Sequence, residues 1–240
     1  MNPYATSWHL ETLLFVPALA VAYALVPRPF PVSRGRLWSF IAGEFLILVA
    51  FATPLETIAL HYLLVAHLLQ NVVLAEWAPA LLVLALPHGF ASRVRVNPLV
   101  ALPVWLTTYY VWHIPAVYDY ALEHQESVLH VEHAMYLVAG VFVWWPVVHG
   151  SYSSSAKALY LFAAFVLGSP LGLLLALLPR AVYGFYVDAP RLWGLTPLRD
   201  QQLAGLTMAA EQAVVFFGAF AYFFLRFLRE EQAAGLVEPR

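Results

Sequence analysis

Apolar residues recur along this chain in runs that are long enough to cross a lipid bilayer. A membrane-spanning helix needs about 20 mainly apolar residues. Seven windows meet this requirement, at roughly 8–26, 37–54, 61–86, 98–120, 128–148, 157–178 and 203–228. Proline, glycine, serine and charged residues, which interrupt helices, fill the segments between the windows. The pattern predicts an all-α fold of about seven transmembrane helices, forming a single integral membrane domain over residues 1–240.

The composition supports a protein that lives in the bilayer. The chain is 62% hydrophobic and 11% charged, whereas a soluble domain is about 25% charged. The N-terminus lacks the basic segment and the cleavage site of a signal peptide, so we expect the first helix to be retained. A net charge of -2 gives no basic surface for nucleic acid. The absence of cysteine excludes disulfides and thiolate metal sites.

The distribution of basic residues predicts the orientation, because Lys and Arg are retained on the cytoplasmic side. They lie in alternate loops and at the C-terminus: Arg28, Arg34, Arg36, Arg93, Arg95, Lys157, Arg226, Arg229 and Arg240. Three arginines of the long sixth loop go against this pattern, namely Arg180, Arg191 and Arg199. The balance predicts an N-terminus outside and a cytoplasmic C-terminus.

Most of the histidines fall on the outer side of this predicted topology. The outer set is His9, His61, His67, His113, His124, His130 and His133, whereas only His88 and His149 lie on the inner side. One histidine at a helix end is explained by its amphipathic ring, which suits the headgroup region. Seven on one side favour a shared metal or cofactor site, and hydrogen bonds between helices are the alternative for each.

Helical spacing brings several of these side chains together. His130 and His133 are three residues apart and are expected to share a helix face. His67, Gln70 and Asn71 form a polar stripe that must face protein or a cavity. His113 lies two residues before a proline, which frees a backbone carbonyl and can shape a polar pocket. Imidazole binds copper, zinc and haem iron, so the spacing leaves the metal open.

Acidic residues accompany the histidines. Glu132 lies beside the histidine pair, and Asp200 precedes Gln201 and Gln202 at the outer start of the last helix, so they are candidates to orient imidazoles. Glu11 is a further candidate. Three glutamates lie deeper in the predicted spans, where a buried carboxyl group is either functional or neutral and hydrogen-bonded. They are Glu44, Glu76 and Glu211.

Four sequence blocks resemble a known family. They are "RLWSFIAGEFLILVAFATPLE", "HLLQNVVLAEWAPALLVLALP", "VWHIPAVYDYALEHQESVLHVEHAMYLVAGVFVWWPVV" and "RLWGLTPLRDQQLAGLTM". In this order they are similar to the successive signatures of the CtaG family of cytochrome c oxidase assembly factors. The resemblance covers roughly residues 36–210.

The resemblance implies a multi-pass protein of the cell membrane that assembles a haem-copper oxidase and has no enzymatic activity of its own. Its expected partner is the oxidase subunit under assembly, and its expected cargo is copper for the oxidase copper centre. The family's polar residues correspond to His67, Gln70, His113, Tyr118, His130, Glu132, His133, Asp200 and Gln201.

From this correspondence we expect two groups of site residues. The predicted copper ligands are His67, His113, His130 and His133, and the predicted supporting residues are Tyr118, Glu132, Asp200 and Gln201. The chain departs from the family at two positions. Asn71 replaces the second histidine of a common H-x-x-x-H motif, and "MAAEQ" supplies Glu211 where a tryptophan is common.

A membrane oxidoreductase is the alternative interpretation. Paired histidines on facing helices could ligate haem or a di-metal centre, with Asp200 and Glu211 in a proton path. A haem absorption band in the purified protein would favour this alternative, whereas a colourless protein that binds copper would favour the assembly factor.

Overall fold

The computed structural model describes residues 2–6, 10–25 and 30–237. Within these residues the fold is all-α, with 81% helix and no strand, so the predicted fold class is confirmed. His9, Arg28, Arg240 and the side chain of Glu11 lie outside the described residues.

The α-helices follow one another with short connections. They are α1 (Leu10–Leu25), α2 (Arg34–Phe51), α3 (Pro54–His61), α4 (Leu64–Val72), α5 (Ala78–Ala85), α6 (His88–Ala91), α7 (Pro98–Trp112), α8 (Pro115–Glu123), α9 (His130–Val148), α10 (Ser154–Leu177), α11 (Gly184–Asp188), α12 (Pro197–Gln212) and α13 (Gly218–Val237). Three π-helical segments, Val73–Trp77, Gln125–Leu129 and Ala213–Phe217, join α4 to α5, precede α9 and join α12 to α13.

Four helices of the described chain are long and apolar enough to cross a membrane. They are Leu64–Ala85, Gln125–Val148, Ser154–Leu177 and Pro197–Gly235. The α2 and α3 helices, which are bent by 51° at their junction, add a fifth span if they are counted as one. Each of the seven predicted windows contains a helix, but α1 is a shorter apolar helix. The count of seven spans and the orientation therefore stay predictions.

The predicted 98–120 helix is broken in the structure. The α7 helix ends at Trp112, and α8 begins at Pro115. A residue before proline avoids the helical conformation, and Ile114 is accordingly extended, with φ -63° and ψ 124°. The break places His113 at the end of α7, inside the bundle rather than along a helix.

Side-chain caps start most of the long helices. Ser33, Thr53, Asn97, Ser153 and Thr196 each accept a hydrogen bond from a backbone N–H in the first turn of the helix that follows. Such caps satisfy N–H groups that have no partner within the helix. The α4 helix differs, because the residue at its start, a leucine, has no polar side chain.

Small residues allow the spans to approach closely, as in other membrane helix bundles. A Cβ atom added to Gly205 of α12 would lie 2.5 Å from the carbonyl oxygen of Gly172 in α10. One added to Gly140 of α9 would lie 2.5 Å from the carbonyl oxygen of Ala75. The α4, α9, α10 and α12 helices thus form a tight bundle, and the candidate site lies where α4, α9 and α12 begin and α7 ends.

Candidate metal centre

His67 lies on α4 at the centre of a group of buried aromatic side chains. Its Nδ1 atom is 3.0 Å from the hydroxyl oxygen of Tyr186 and 3.1 Å from that of Tyr118. The Tyr186 hydroxyl donates its own proton to the carbonyl oxygen of Ala59, at 2.6 Å. Towards His67 the Tyr186 hydroxyl can therefore only accept, which places the proton of His67 on Nδ1. The Tyr118 hydroxyl has no other acceptor among the described residues, and a donation from it to the same nitrogen would place the proton on Nε2.

The other ring nitrogen of His67 has no hydrogen-bond partner in the part of the chain that the structure describes. His67 is completely buried, and its Nε2 atom contacts no donor or acceptor among the described residues. With the proton on Nδ1, the Nε2 atom carries a free lone pair. An imidazole whose N–H is held by an oxygen while the opposite nitrogen is open has the arrangement found in metal-binding histidines.

His113 repeats this arrangement at the break between α7 and α8. Its Nδ1 atom donates to the carbonyl oxygen of Tyr109 at 2.7 Å, and its buried Nε2 atom has no partner in the described structure. With its Nδ1–H held by this carbonyl, the ring offers a second lone pair at Nε2. The Tyr183 hydroxyl donates to the carbonyl oxygen of His113 at 3.1 Å and fixes the backbone there.

His133 on α9 completes a group of three histidines. Its ring centroid lies 6.0 Å from that of His67, with the two rings nearly perpendicular at 89°, and 5.0 Å from that of Phe51. Both His113 and His133 are close enough to His67 to interact with it electrostatically. The structure therefore brings three of the four predicted ligands together from α4, α7 and α9.

The fourth predicted ligand, His130, lies elsewhere. It lines a groove with Val104, Thr108 and Met135, whereas His133 lines a separate groove with Phe51. Side chains three residues apart on a helix point in directions that differ by about 60°. This difference is enough for His130 and His133 to contact different residues. The expected shared face of His130 and His133 does not bring them to one site.

The arrangement of the three histidines is not a closed metal site. Among the residues that the structure describes, no group of three or more His, Cys, Asp or Glu side chains is arranged to hold a metal ion. The site consists of two buried imidazoles with open nitrogens and a third imidazole beside them. The donor set fits copper or zinc, both of which accept imidazole.

The polar stripe of α4 contacts three other helices. The Asn71 amide donates to Oε1 of Glu132 on α9 at 3.1 Å. The Gln70 amide donates to the carbonyl oxygen of Ala50 at 2.6 Å and also to Glu56. Glu132 is completely buried and acts electrostatically on Tyr118. Glu132 and Tyr118 therefore belong to the surroundings of His67, and their role as supporting residues stays a prediction.

Asp200 and Gln201 have different partners from those expected. The Asp200 carboxylate accepts hydrogen bonds from the backbone N–H groups of Leu64 and Val65, at 2.7 and 3.0 Å. Gln201 accepts from the backbone N–H of Val182 and donates to the carbonyl oxygens of Leu175 and Arg180. Instead of orienting an imidazole, Asp200 caps α4, and Gln201 fastens the loop after α10.

That loop supplies residues that the sequence-based prediction missed. Tyr183 and Tyr186 are buried against the histidines, although both belong to a segment read only as a polar connection. The three aromatic residues around Gly184 in "VYGFYVD", namely Tyr183, Phe185 and Tyr186, are a signal for a segment that folds back onto the core. Asp119 of α8 holds this loop by accepting from the backbone N–H groups of Gly184 and Phe185, at 2.9 and 3.2 Å.

An open cavity of about 610 Å³ lies beside this loop. Its lining includes the carboxylates of Asp119, Glu123 and Asp188 together with His61. Tyr62 and Phe185 also line the cavity. The loop therefore borders an acidic, solvent-accessible cavity on one side and contributes Tyr183 and Tyr186 to the histidine group on the other.

The fold and the site define an all-α protein with membrane-length helices and buried imidazoles near one end of the bundle. A family model described as "Cytochrome c oxidase caa3 assembly factor (Caa3_CtaG)" matches residues 18–230. The chain belongs to this family of cytochrome c oxidase assembly factors, and the resemblance seen in the sequence is confirmed. No curated protein and no solved structure matches the chain.

Proposed function

We propose that this protein is a non-enzymatic assembly factor of the cell membrane that binds copper through His67 and His113 and passes it to a haem-copper oxidase subunit. Copper is the cargo in this proposal. The observation that carries it is the pair of buried Nε2 atoms, one on each histidine, that have no partner in the described structure. Leaving a buried polar atom unpaired is unfavourable, and coordination to a metal ion would give each of them a partner.

The surroundings favour a copper ion of low charge. The two imidazoles are neutral donors in an apolar interior, and the cost of burying an ion rises with its charge. Cuprous ion carries a single charge and therefore costs less to bury than cupric ion. His133 is placed to join as a third ligand if its side chain turns towards His67, 6.0 Å away between ring centroids.

The supporting residues have defined tasks in this proposal. Tyr186 holds the proton of His67 on Nδ1, and the Tyr109 carbonyl does the same for His113. Because each contact holds the ring proton on Nδ1, the Nε2 atom stays unprotonated and its lone pair is available to a metal ion. Outer contacts of this kind commonly change metal affinity by about 10–100-fold.

We further propose that the histidine site faces the outer side of the membrane. Arg36, which donates to the carbonyl oxygen of Leu86, and Arg93, which packs on Phe30, lie at the opposite ends of the helices from His67. Basic residues mark the cytoplasmic side. A reporter active only in the cytoplasm should work when it is fused to the C-terminus and fail at the N-terminus. The reverse result would place the histidines on the cytoplasmic side.

Copper stoichiometry tests the site directly. Purified wild-type protein is loaded anaerobically with cuprous ion, washed with a competing chelator and analysed for metal by mass spectrometry. We expect His67→Ala and His113→Ala each to lose copper, and His130→Ala, a matched histidine in a different groove, to keep it. Unchanged copper in both site variants, with only reduced thermal stability, would contradict the proposal. A haem absorption band in the untreated protein would support an oxidoreductase instead.

A further inference from the structure

Two glutamate side chains meet in the interior of the bundle, away from the histidine site. Glu76 belongs to the π-helical segment Val73–Trp77, and Glu211 lies in the last turn of α12, directly before the π-helical segment Ala213–Phe217. Glu76 is 0% exposed and Glu211 is 6% exposed. Each glutamate is contacted by the sequence neighbour of the other, since the Trp77 indole reaches Glu211 and the Gln212 amide reaches Glu76. The two carboxyl groups therefore lie beside each other and interact electrostatically.

Two of the four carboxyl oxygens accept a hydrogen bond from the described residues, and the other two do not. The Gln212 amide donates to Oε1 of Glu76 at 3.1 Å, and the Trp77 indole N–H donates to Oε2 of Glu211 at 3.0 Å. The remaining oxygens, Oε2 of Glu76 and Oε1 of Glu211, are buried without a hydrogen-bond partner in the described structure. A single proton between the two carboxyl groups gives both of these oxygens a partner.

The charges around the two glutamates also favour a pair that keeps one proton. Within the described chain neither glutamate forms an ion pair with a basic side chain. Two adjacent carboxylates in an apolar interior cannot both be ionised at low cost. Tyr109 of α7 is the titratable side chain that faces the pair from a neighbouring helix, and its hydroxyl accepts from the Gln212 amide at 2.9 Å. Tyr110 and Tyr183 lie close enough to Tyr109 to interact with it electrostatically.

We propose that Glu76 and Glu211 form a proton-binding site in the membrane interior, where one proton is held between the two carboxyl groups. The site uses none of the histidines and does not depend on the copper proposal. π-Helical turns are rare and are frequent at functional sites, and both glutamates lie at such turns. Release of the proton would leave two like charges between the Leu64–Ala85 helix and the Pro197–Gly235 helix, so proton occupancy controls how closely these helices pack.

Infrared spectroscopy detects the shared proton. Protein produced with glutamate labelled with ¹³C at the side-chain carboxyl is measured in detergent at neutral pH, where only a protonated carboxyl group gives a C=O band. We expect one glutamic acid band to be lost or shifted in both Glu76→Gln and Glu211→Gln, because both residues hold the same proton. The exposed Glu126 is the control, and Glu126→Gln should leave this band unchanged.

Two results would overturn the proposal. The first is a wild-type protein whose glutamic acid bands are unaffected by either substitution. The second is a band that responds to one substitution but not to the other, since this indicates a proton that belongs to one glutamate and is not shared. If either glutamine variant does not fold, Trp77→Phe, which removes the donor to Glu211, and Gln212→Leu, which removes the donor to Glu76, decide the question together. A band that shifts in both variants supports the shared proton, and a band that shifts in only one or in neither contradicts it.

Discussion

The carboxylate of Asp200 lies at the start of α4, where its Oδ2 atom accepts a 2.7 Å hydrogen bond from the backbone N–H of Leu64. The residue that precedes this helix, Leu63, has no side chain that could cap it. A residue from α12, distant in sequence, therefore caps the helix that carries His67. Because His67 lies within the first turn or so of α4, this contact fixes the position of the proposed copper ligand.

Removal of this cap should destabilise the protein. Asp200→Ala leaves the buried N–H groups of Leu64 and Val65 without acceptors, and we expect a loss of about 2 kcal/mol, as for other lost caps. Asp200→Asn keeps one acceptor oxygen and should lose less. Thermal unfolding in detergent measures the change. The control is Asp188→Ala, which removes an exposed carboxylate, and equal midpoints for the two alanine variants would disprove the capping role.

The Tyr186 hydroxyl should control copper affinity through His67. In Tyr186→Phe the Nδ1 atom of His67 loses one of its two hydroxyl partners and keeps only that of Tyr118, so the ring can rotate or change tautomer. We expect the affinity for cuprous ion to fall by about 10–100-fold, measured by competition with a chelator of known affinity. Tyr160→Phe removes a hydroxyl that donates to the Val143 carbonyl, and it should leave the affinity unchanged. An unchanged affinity in Tyr186→Phe would remove Tyr186 from the site.

The contact between α10 and α12 should not tolerate a side chain at Gly205. A Cβ atom there would lie 2.5 Å from the Gly172 carbonyl oxygen and from the Ala176 backbone nitrogen. Backbone atoms cannot turn aside, so we expect Gly205→Ala to cost about 1–3 kcal/mol in unfolding experiments. Gly218→Ala is the control, because no atom lies within 4 Å of its added Cβ and alanine favours helix. If Gly205→Ala is as stable as this control, the helices are packed less closely than described.

The apolar pattern was sufficient to locate the helices but not to count the spans. Every predicted window contains a helix, because burial of apolar residues in lipid is a property of each segment by itself. The break at Ile114 was only partly visible in the sequence. Pro115 indicates a distortion, but a proline can also be accommodated within a membrane helix, so the sequence alone did not decide between a bend and an end.

The part of the candidate site that consists of histidines within the predicted spans could be proposed from the sequence. His67, His113 and His133 lie near one another, and their role as metal ligands stays a prediction. The different direction of His130 depends on which helices pack against α9, and this information is not local. The same holds for Asp200, whose carboxylate reaches backbone N–H groups more than a hundred residues away. Tyr186 was missed because α11 has only five residues, too few for a periodic pattern to show which side chains face the core.

The copper content of the oxidase in cells tests the central claim most directly. A strain without this protein is complemented with the wild-type gene, with the double variant His67→Ala/His113→Ala, or with His130→Ala as the matched control. Oxidase is then purified and its copper and haem are quantified, with oxidase transcripts measured in parallel. We predict normal transcripts and haem but copper-deficient, poorly active oxidase with the double variant, and full copper with the wild type and with His130→Ala. Fully copper-loaded oxidase in cells that contain the stable double variant would contradict the proposal that these histidines supply copper.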